Sequence, residues 1–244
     1  MSAEWQSYPT ANAAAEACSQ RIVTLLEGAV PGSGSATLAI SGGSTPKLMF
    51  AHLVQAKMDW SRVHLFWVDE RAVPPTDEQS NFRLADEHLI KPGRLPQRNI
   101  HRICAELPPE KAAKRYAAEI TEFFQLEPGE LPHFDVLHLG TGPDAHTASL
   151  FPGEPLIENR QDIAAAVYVA KIPQWRITLL PGALLAARHC VFLVAGEDKA
   201  DAVHNIFRAP YEPKQYPAQL LSKGGRKVTW YIDTAAARLL TLNG

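Results

Sequence analysis

Four short segments of the sequence combine glycines with side chains that bind anions or move protons. They are residues 41–45, 69–71, 140–146 and 196–199. Each segment directly follows a short apolar run that is typical of a buried strand. Because ligands bind at the carboxyl ends of the strands in a parallel α/β sheet, we expect the four segments to meet in one site.

The first segment reads SGGSTP at residues 41–46, between an apolar run and a helical pattern. Adjacent glycines let the backbone approach a ligand closely, and a helix start adds free N–H groups, which suits a phosphate monoester. An ordinary capped strand-to-helix turn explains the segment equally well, and it matches neither the Walker A loop nor GxGxxG. The candidate phosphate contacts are Ser41, Gly42, Gly43, Ser44 and Thr45.

A phosphate dianion also needs cations, because a helix end contributes only about 0.3 to 2 kcal/mol. Lys199, at the expected start of a helix, and Arg176, expected just before a strand, are candidates. Arg71 is a third, since its charged, directional guanidinium suits a phosphate or a developing oxyanion. Asp69 and Arg71 could equally form a structural ion pair.

A glycine-containing loop places His146 two residues after Asp144. A histidine can take a proton from water at neutral pH, and general base catalysis typically contributes 10² to 10⁴ in rate. Asp144 could orient the ring or bind the substrate, and a histidine in a loop is also commonly structural. The sequence has no HExxH and no closely spaced ligand pair, so we expect no metal.

The elements that must position these residues alternate between strands and helices, which predicts a doubly wound, mainly parallel α/β fold. Thr45 is expected to cap a helix whose first residue is Pro46. The expected strands are residues 36–40, 63–68, 134–139, 167–170, 177–180, 189–195 and 228–233. The other expected helices are residues 11–30, 81–90, 112–124 and about 200–208, with a short alanine-rich helix after residue 233.

Composition bounds the possible partners. The 244 residues are 46% hydrophobic and 20% charged, with a net charge of −2, so no bulk charge attracts nucleic acid or an anionic membrane. The separated cysteines Cys18, Cys104 and Cys190 fit a reducing compartment. The amino terminus lacks a signal-peptide pattern and no apolar run is long enough for a membrane helix, which predicts a soluble, cytoplasmic protein.

Five blocks in order resemble the 6-phosphogluconolactonase family, within the glucosamine/galactosamine-6-phosphate isomerase superfamily. They are residues 41–46, 67–82, 139–153, 176–179 and 192–203. The resemblance implies a Rossmann-like fold and a cofactor-free hydrolase of the oxidative pentose phosphate pathway, opening 6-phospho-D-glucono-1,5-lactone to 6-phosphogluconate. It also suggests a functional link to glucose-6-phosphate dehydrogenase. Because the blocks run on without a linker, we expect one catalytic domain over residues 1–244.

The resemblance also implies roles for particular residues. His146 corresponds to the family's proposed general base, while residues 41–45, Arg176 and Lys199 correspond to its phosphate contacts. On this hypothesis water activated by His146 attacks the lactone carbonyl, and Arg71 stabilises the oxyanion. Asp144 orients His146 or binds sugar hydroxyls, and Asp69 is expected to contribute to substrate binding.

One departure from the family lies beside the histidine, where Ala145 replaces the usual glycine and Pro143 precedes Asp144. Alanine would strain a backbone with positive φ, but the intact residues around it favour an ordinary conformation that alanine stiffens. Two alternative functions stay open. The first is glucosamine-6-phosphate deaminase/isomerase, although Phe151 stands where those enzymes carry an acid; the second is a non-catalytic sugar-phosphate-binding protein.

Overall fold

The computed structural model describes residues 4–224 and 227–241, and its main element is a seven-stranded parallel sheet. The strand order is β1-β10-β9-β6-β2-β3-β5, and every pairing is parallel. The strands are β1 (Glu4–Tyr8), β2 (Ala36–Ile40), β3 (Val63–Trp67), β5 (Ile100–His101), β6 (Val136–Leu139), β9 (His189–Val194) and β10 (Lys227–Asp233). The predicted doubly wound α/β fold is confirmed.

A second sheet of three antiparallel strands was not predicted. It has the order β4-β8-β7, formed by β4 (Asp69–Arg71), β8 (Gln174–Leu179) and β7 (Ala164–Val169). Asp69–Arg71, predicted at the end of the strand that starts at Val63, is therefore a separate strand of this second sheet. Arg176 lies inside a strand rather than before one. The pairing of β4 with β8 joins residues about a hundred positions apart, which local periodicity cannot show.

The helices connect the strands, and the longer ones correspond to predicted helices. They are α1 (Ala11–Ser33), α2 (Ser44–Gln55), α3 (Asn81–Ala85), α4 (Lys91–Gly93), α5 (Pro109–Phe124), α6 (Pro181–Ala186), α7 (Ala200–Arg208), α8 (Gln219–Gly224) and α9 (Thr234–Thr241). A π-helical turn, Asp86–Ile90, continues α3. The prediction missed the strands β1 and β5 and the helices α4, α6 and α8.

Two predicted helix ends were wrong. Helix α1 continues through Pro31 to Gly34, whose positive φ of 80° and N–H bond to the Val30 carbonyl end it. Helix α2 begins at Ser44 after Gly43, so Thr45 lies within its first turn and is not its cap.

Apolar side chains from the helices and from the strands form the core around the main sheet. Trp230 and Phe192, on neighbouring strands, stack with ring centroids 3.9 Å apart, and Trp67 and Phe66 of β3 are also buried. Of the helices in residues 4–224 and 227–241, none is both long and apolar enough to cross a membrane. The packed strands hold their carboxyl ends, and the segments that follow them, in fixed positions.

Candidate active site

A cavity of about 240 Å³ lies at the carboxyl ends of the parallel strands. All four predicted segments contribute to it, which confirms that they converge. Of the predicted site residues, ten line the cavity: Ser41, Gly42, Gly43, Ser44, Thr45, Asp69, Arg71, His146, Arg176 and Lys199. Asp144 does not line it and lies behind His146.

The turn between β2 and α2 needs its glycines. A Cβ at Gly42 would lie 1.8 Å from the Asn81 side-chain oxygen, and Gly43 has a φ of 119°. No side chain caps α2 at Gly43, and the hydroxyl of Ser41 donates to the His138 carbonyl. The start of a twelve-residue helix therefore lines the cavity without a capping side chain, which suits an anion.

Two buried residues that the sequence reasoning missed hold this wall in place. The Glu70 carboxylate accepts bonds from the N–H groups of Asn81 and Phe82, at 2.7 Å each, and from the Ser80 hydroxyl. Burial raises the pKa of Glu70, against the lowering by these bonds. The Asn81 amide donates to the Asp69 carbonyl. Two features of the sequence could have identified these residues: an acid at the end of a strand, and Ser80 later in the chain, which is a good helix N-cap.

Two arginines lie side by side on neighbouring strands of the second sheet, because Arg71 of β4 pairs in register with Arg176 of β8. The Arg71 guanidinium donates to the Gln79 carbonyl at 2.5 Å, and Arg176 lies 3.7 Å from the Asp69 carboxylate. Asp69 therefore pairs with Arg176 rather than with Arg71. Burial lowers the pKa of Arg176, as does Arg71, while Asp69 raises it. Within the described residues, Nε of both arginines is buried without an acceptor.

His146 is fixed from two sides. Its Nδ1 lies 2.6 Å from Asp144 Oδ1, and its ring stacks on Phe151 with centroids 4.2 Å apart. Burial raises the pKa of Asp144, but bonds from His146 and Lys171 outweigh it and hold the pKa well below its usual range. Because a carboxylate only accepts, the neutral ring in this contact carries its hydrogen on Nδ1, which leaves the lone pair on Nε2. A Cβ at Gly142 would lie 2.2 Å from this ring.

The conformation expected for Ala145 was wrong. Ala145 has a φ of 63°, and Ala148 has a φ of 51°. Tertiary contacts impose this geometry: the Ala145 N–H donates to the Gly142 carbonyl, and its carbonyl accepts from Ala218 N–H. Ala145 is also buried. The strain avoided by the family's usual glycine is therefore present in this loop.

Lys199 lies at the start of α7, as expected, but it already has a partner. Its ammonium is 2.7 Å from the Asp198 carboxylate, and its side chain is largely buried. The preceding Gly196 adopts a φ of 103° and donates its N–H to Asp233. Lys199 therefore supplies its charge to the cavity partly screened by Asp198.

A sequence model of the glucosamine-6-phosphate isomerase/6-phosphogluconolactonase family matches residues 9–230. The chain belongs to this family. It is 36% identical to the 6-phosphogluconolactonase of Synechocystis sp., over 90% of each chain. It is also 36% identical to the human 6-phosphogluconolactonase, over 94% of this chain and 89% of the human one.

Solved structures from the family show the same architecture. A 6-phosphogluconolactonase from Shewanella baltica superposes with a TM-score of 0.83 at 28% identity, over 95% of this chain and 97% of its own. A monomeric glucosamine-6-phosphate deaminase also reaches a TM-score of 0.83, at 16% identity, over 97% of this chain and 99% of its own. The likeness to the deaminase shows only the shared fold, and a shared fold does not determine which reaction the site residues catalyse.

Proposed function

We propose that this chain hydrolyses 6-phospho-D-glucono-1,5-lactone to 6-phospho-D-gluconate, with His146 as the general base. The observation that carries the proposal is the placement of His146 and the uncapped start of α2 around one cavity. The helix start suits a phosphate, and the imidazole can activate water. The relatives named 6-phosphogluconolactonase, which match nearly the whole chain, support the same reaction.

In the proposed first step, Nε2 of His146 takes a proton from a water molecule whose oxygen attacks the lactone carbonyl carbon. The carbonyl π electrons move to its oxygen, and Arg71 stabilises the resulting oxyanion. When the carbonyl re-forms, the bond from carbon to the ring oxygen breaks, and the imidazolium returns its proton to that oxygen. Water is consumed, one ester bond is broken, and His146 is restored without a covalent intermediate.

The phosphate is assigned to the start of α2, with Arg176 and Lys199 supplying positive charge. Asp69 holds Arg176 towards the cavity through their 3.7 Å contact, so its proposed role is indirect. Within the described residues, no cluster of three or more His, Cys, Asp or Glu side chains is arranged to hold a metal ion. Four further properties of the protein stay predictions: the metal- and cofactor-free reaction, the single catalytic domain, a cytoplasmic location, and a functional link to glucose-6-phosphate dehydrogenase.

Phe151 favours the hydrolase over the deaminase/isomerase. Its ring is buried and stacks on His146 at 4.2 Å, where it cannot transfer a proton. Ring opening and isomerisation of an amino sugar phosphate need further acid and base groups. Ammonia release from glucosamine 6-phosphate would support the alternative, and we expect none.

The test is to generate the lactone with glucose-6-phosphate dehydrogenase and to measure its loss against the spontaneous rate. We expect clear acceleration, unaffected by a chelator, and a loss of about 10² to 10⁴ in kcat for His146→Ala. His133→Ala is the control, because His133 is exposed and bonds only the Ala186 carbonyl among the contacts described. No acceleration by the parent protein would refute the reaction. Full activity of His146→Ala would remove His146 from its role.

A further inference from the structure

We propose that Lys171 is a positioning residue that acts on His146 through Asp144. The inference rests on the proposed function, since it concerns the base of that reaction. Lys171 lies in the turn that joins β7 to β8, outside the four segments from which the site was predicted. It does not line the cavity, so its effect on the reaction must pass through another residue.

The Asp144 carboxylate uses its two oxygens for two different partners. Oδ1 lies 2.6 Å from His146 Nδ1, and Oδ2 accepts from Lys171 Nζ at 2.9 Å. Rotation of the carboxylate would break both contacts, so Lys171 limits the orientations that Asp144 can present to the ring. The Asp144 side chain is only 17% exposed, whereas that of Lys171 is 68% exposed. Lys171 thus spans from solvent to a nearly buried carboxylate.

The first residues of β8, directly after the turn that carries Lys171, are bonded to the segment between β4 and α3. The Gln174 side chain donates to the Gln79 side-chain oxygen at 2.6 Å, and the Trp175 carbonyl accepts from Ala72 N–H at 2.9 Å. Within the turn, Ile172 N–H donates to the Val169 carbonyl. These bonds fix the backbone from which Lys171 reaches Asp144, so the ammonium approaches the carboxylate from a defined direction.

The same arrangement has an electrostatic consequence for His146. Three charged side chains lie near the His146 ring: Asp144, Lys171 and Arg176. The Arg176 guanidinium lies 5.6 Å from the Phe151 ring, on which His146 stacks. Lys171 offsets part of the Asp144 charge, so Asp144 alone would stabilise an imidazolium more strongly. The replacement of Lys171 by a neutral residue therefore removes a positive charge that faces the Asp144–His146 contact.

The experiment compares Lys171→Met, Lys171→Arg and Lys214→Met with the parent enzyme. Lys214 is a matched control, because its ammonium lies 2.9 Å from Glu158 and its side chain is 69% exposed, yet it does not line the cavity. For each protein, kcat and KM for the lactone are measured between pH 5.5 and 8.5, together with the thermal unfolding midpoint.

We expect Lys171→Met to lower kcat by up to about fivefold with KM unchanged, because a lysine that is 68% exposed contributes only modestly through its ion pair. The acid limb of its kcat/KM profile should move to higher pH, because a positive charge near the base has been removed. Lys171→Arg should restore most of the activity, and Lys214→Met should match the parent.

Three results would overturn the inference: a Lys171→Met profile identical to that of Lys214→Met, a loss confined to KM, or a loss explained by a lower unfolding midpoint. If the parent enzyme itself fails to accelerate lactone hydrolysis, the proposed function fails instead. The two failures are therefore separate.

Discussion

The replacement of His138 by leucine should stabilise the protein, and increasingly so in acid. His138 lies in β6 in the middle of the main sheet and is fully buried. Within the described residues, neither ring nitrogen has a hydrogen-bond partner. Each unsatisfied buried polar group costs about 1 to 3 kcal/mol, and leucine has a similar volume without polar atoms. At pH 7 we therefore expect the leucine variant to be about 2 kcal/mol more stable.

The pH dependence follows from burial, which lowers the pKa of His138 from 6.5 to about 3. Below pH 6.5 the unfolded chain binds a proton at His138 that the native protein does not bind. The stability from this group is therefore fully present above pH 6.5 and is lost as the pH falls towards 3. Between pH 7 and pH 4 the loss amounts to about 2.4 pH units, or about 3 kcal/mol at 1.36 kcal/mol per unit.

The assay is urea-induced unfolding of the parent and the His138→Leu variant at pH 7 and pH 4. Because every other titrating group is common to both proteins, the difference between the two free energies of unfolding isolates His138. That difference should grow from about 2 to about 5 kcal/mol. His133→Leu, at an exposed position, shows what loss of a surface histidine does. Equal differences at both pH values would refute the reasoning, because they would mean that His138 is solvated or paired in the native state.

Two substitutions in the cavity loops test the backbone arguments. Gly42→Ala should displace Asn81, whose side-chain oxygen would lie 1.8 Å from the new Cβ, and urea unfolding should show a loss of about 1 to 3 kcal/mol together with a raised KM. Gly28→Ala in α1 meets no atom within 4 Å and should stabilise by about 0.5 to 1 kcal/mol, so a similar loss there would contradict this reasoning. Ala145→Gly relieves about 1 to 2 kcal/mol of left-handed strain but loses a buried methyl group and adds chain entropy, so its free energy of unfolding should change by less than about 1 kcal/mol. Ala145→Val should destabilise by more than that, because a β-branched residue fits positive φ poorly, and equal stability of the two variants would contradict the strain.

Local sequence predicted the elements whose burial is uniform along the chain. Ala36–Ile40 has five buried, mostly apolar residues, and its predicted bounds match the structure. Glu4–Tyr8 was missed because this edge strand is largely exposed and polar. Ile100–His101 is only two residues long, too short for any period to be detected.

The convergence of the four segments on one cavity could be predicted from the sequence, but the contacts between their side chains could not. The four segments could be found because each follows a strand whose carboxyl end is fixed by the fold. The pairing of Asp69 with Arg176 could not, since it depends on antiparallel contacts between β4 and β8 that are distant in sequence. Lys171 had no signal at all, because a lone lysine in a turn is ordinary on a surface.

The loop that carries His146 has a backbone conformation that its residue types disfavour. Two alanines, Ala145 and Ala148, have positive φ, which costs about 1 to 2 kcal/mol for each residue. The loop is nevertheless fixed, because Ala145 is buried and bonded to Ala218, and the Thr147 hydroxyl donates to the Gly140 carbonyl. Strain maintained by tertiary contacts leaves the segment few alternative conformations. For a proposed base that must meet water and a carbonyl carbon within a few tenths of an ångström, this restriction is an advantage, since orientation is set before the substrate binds.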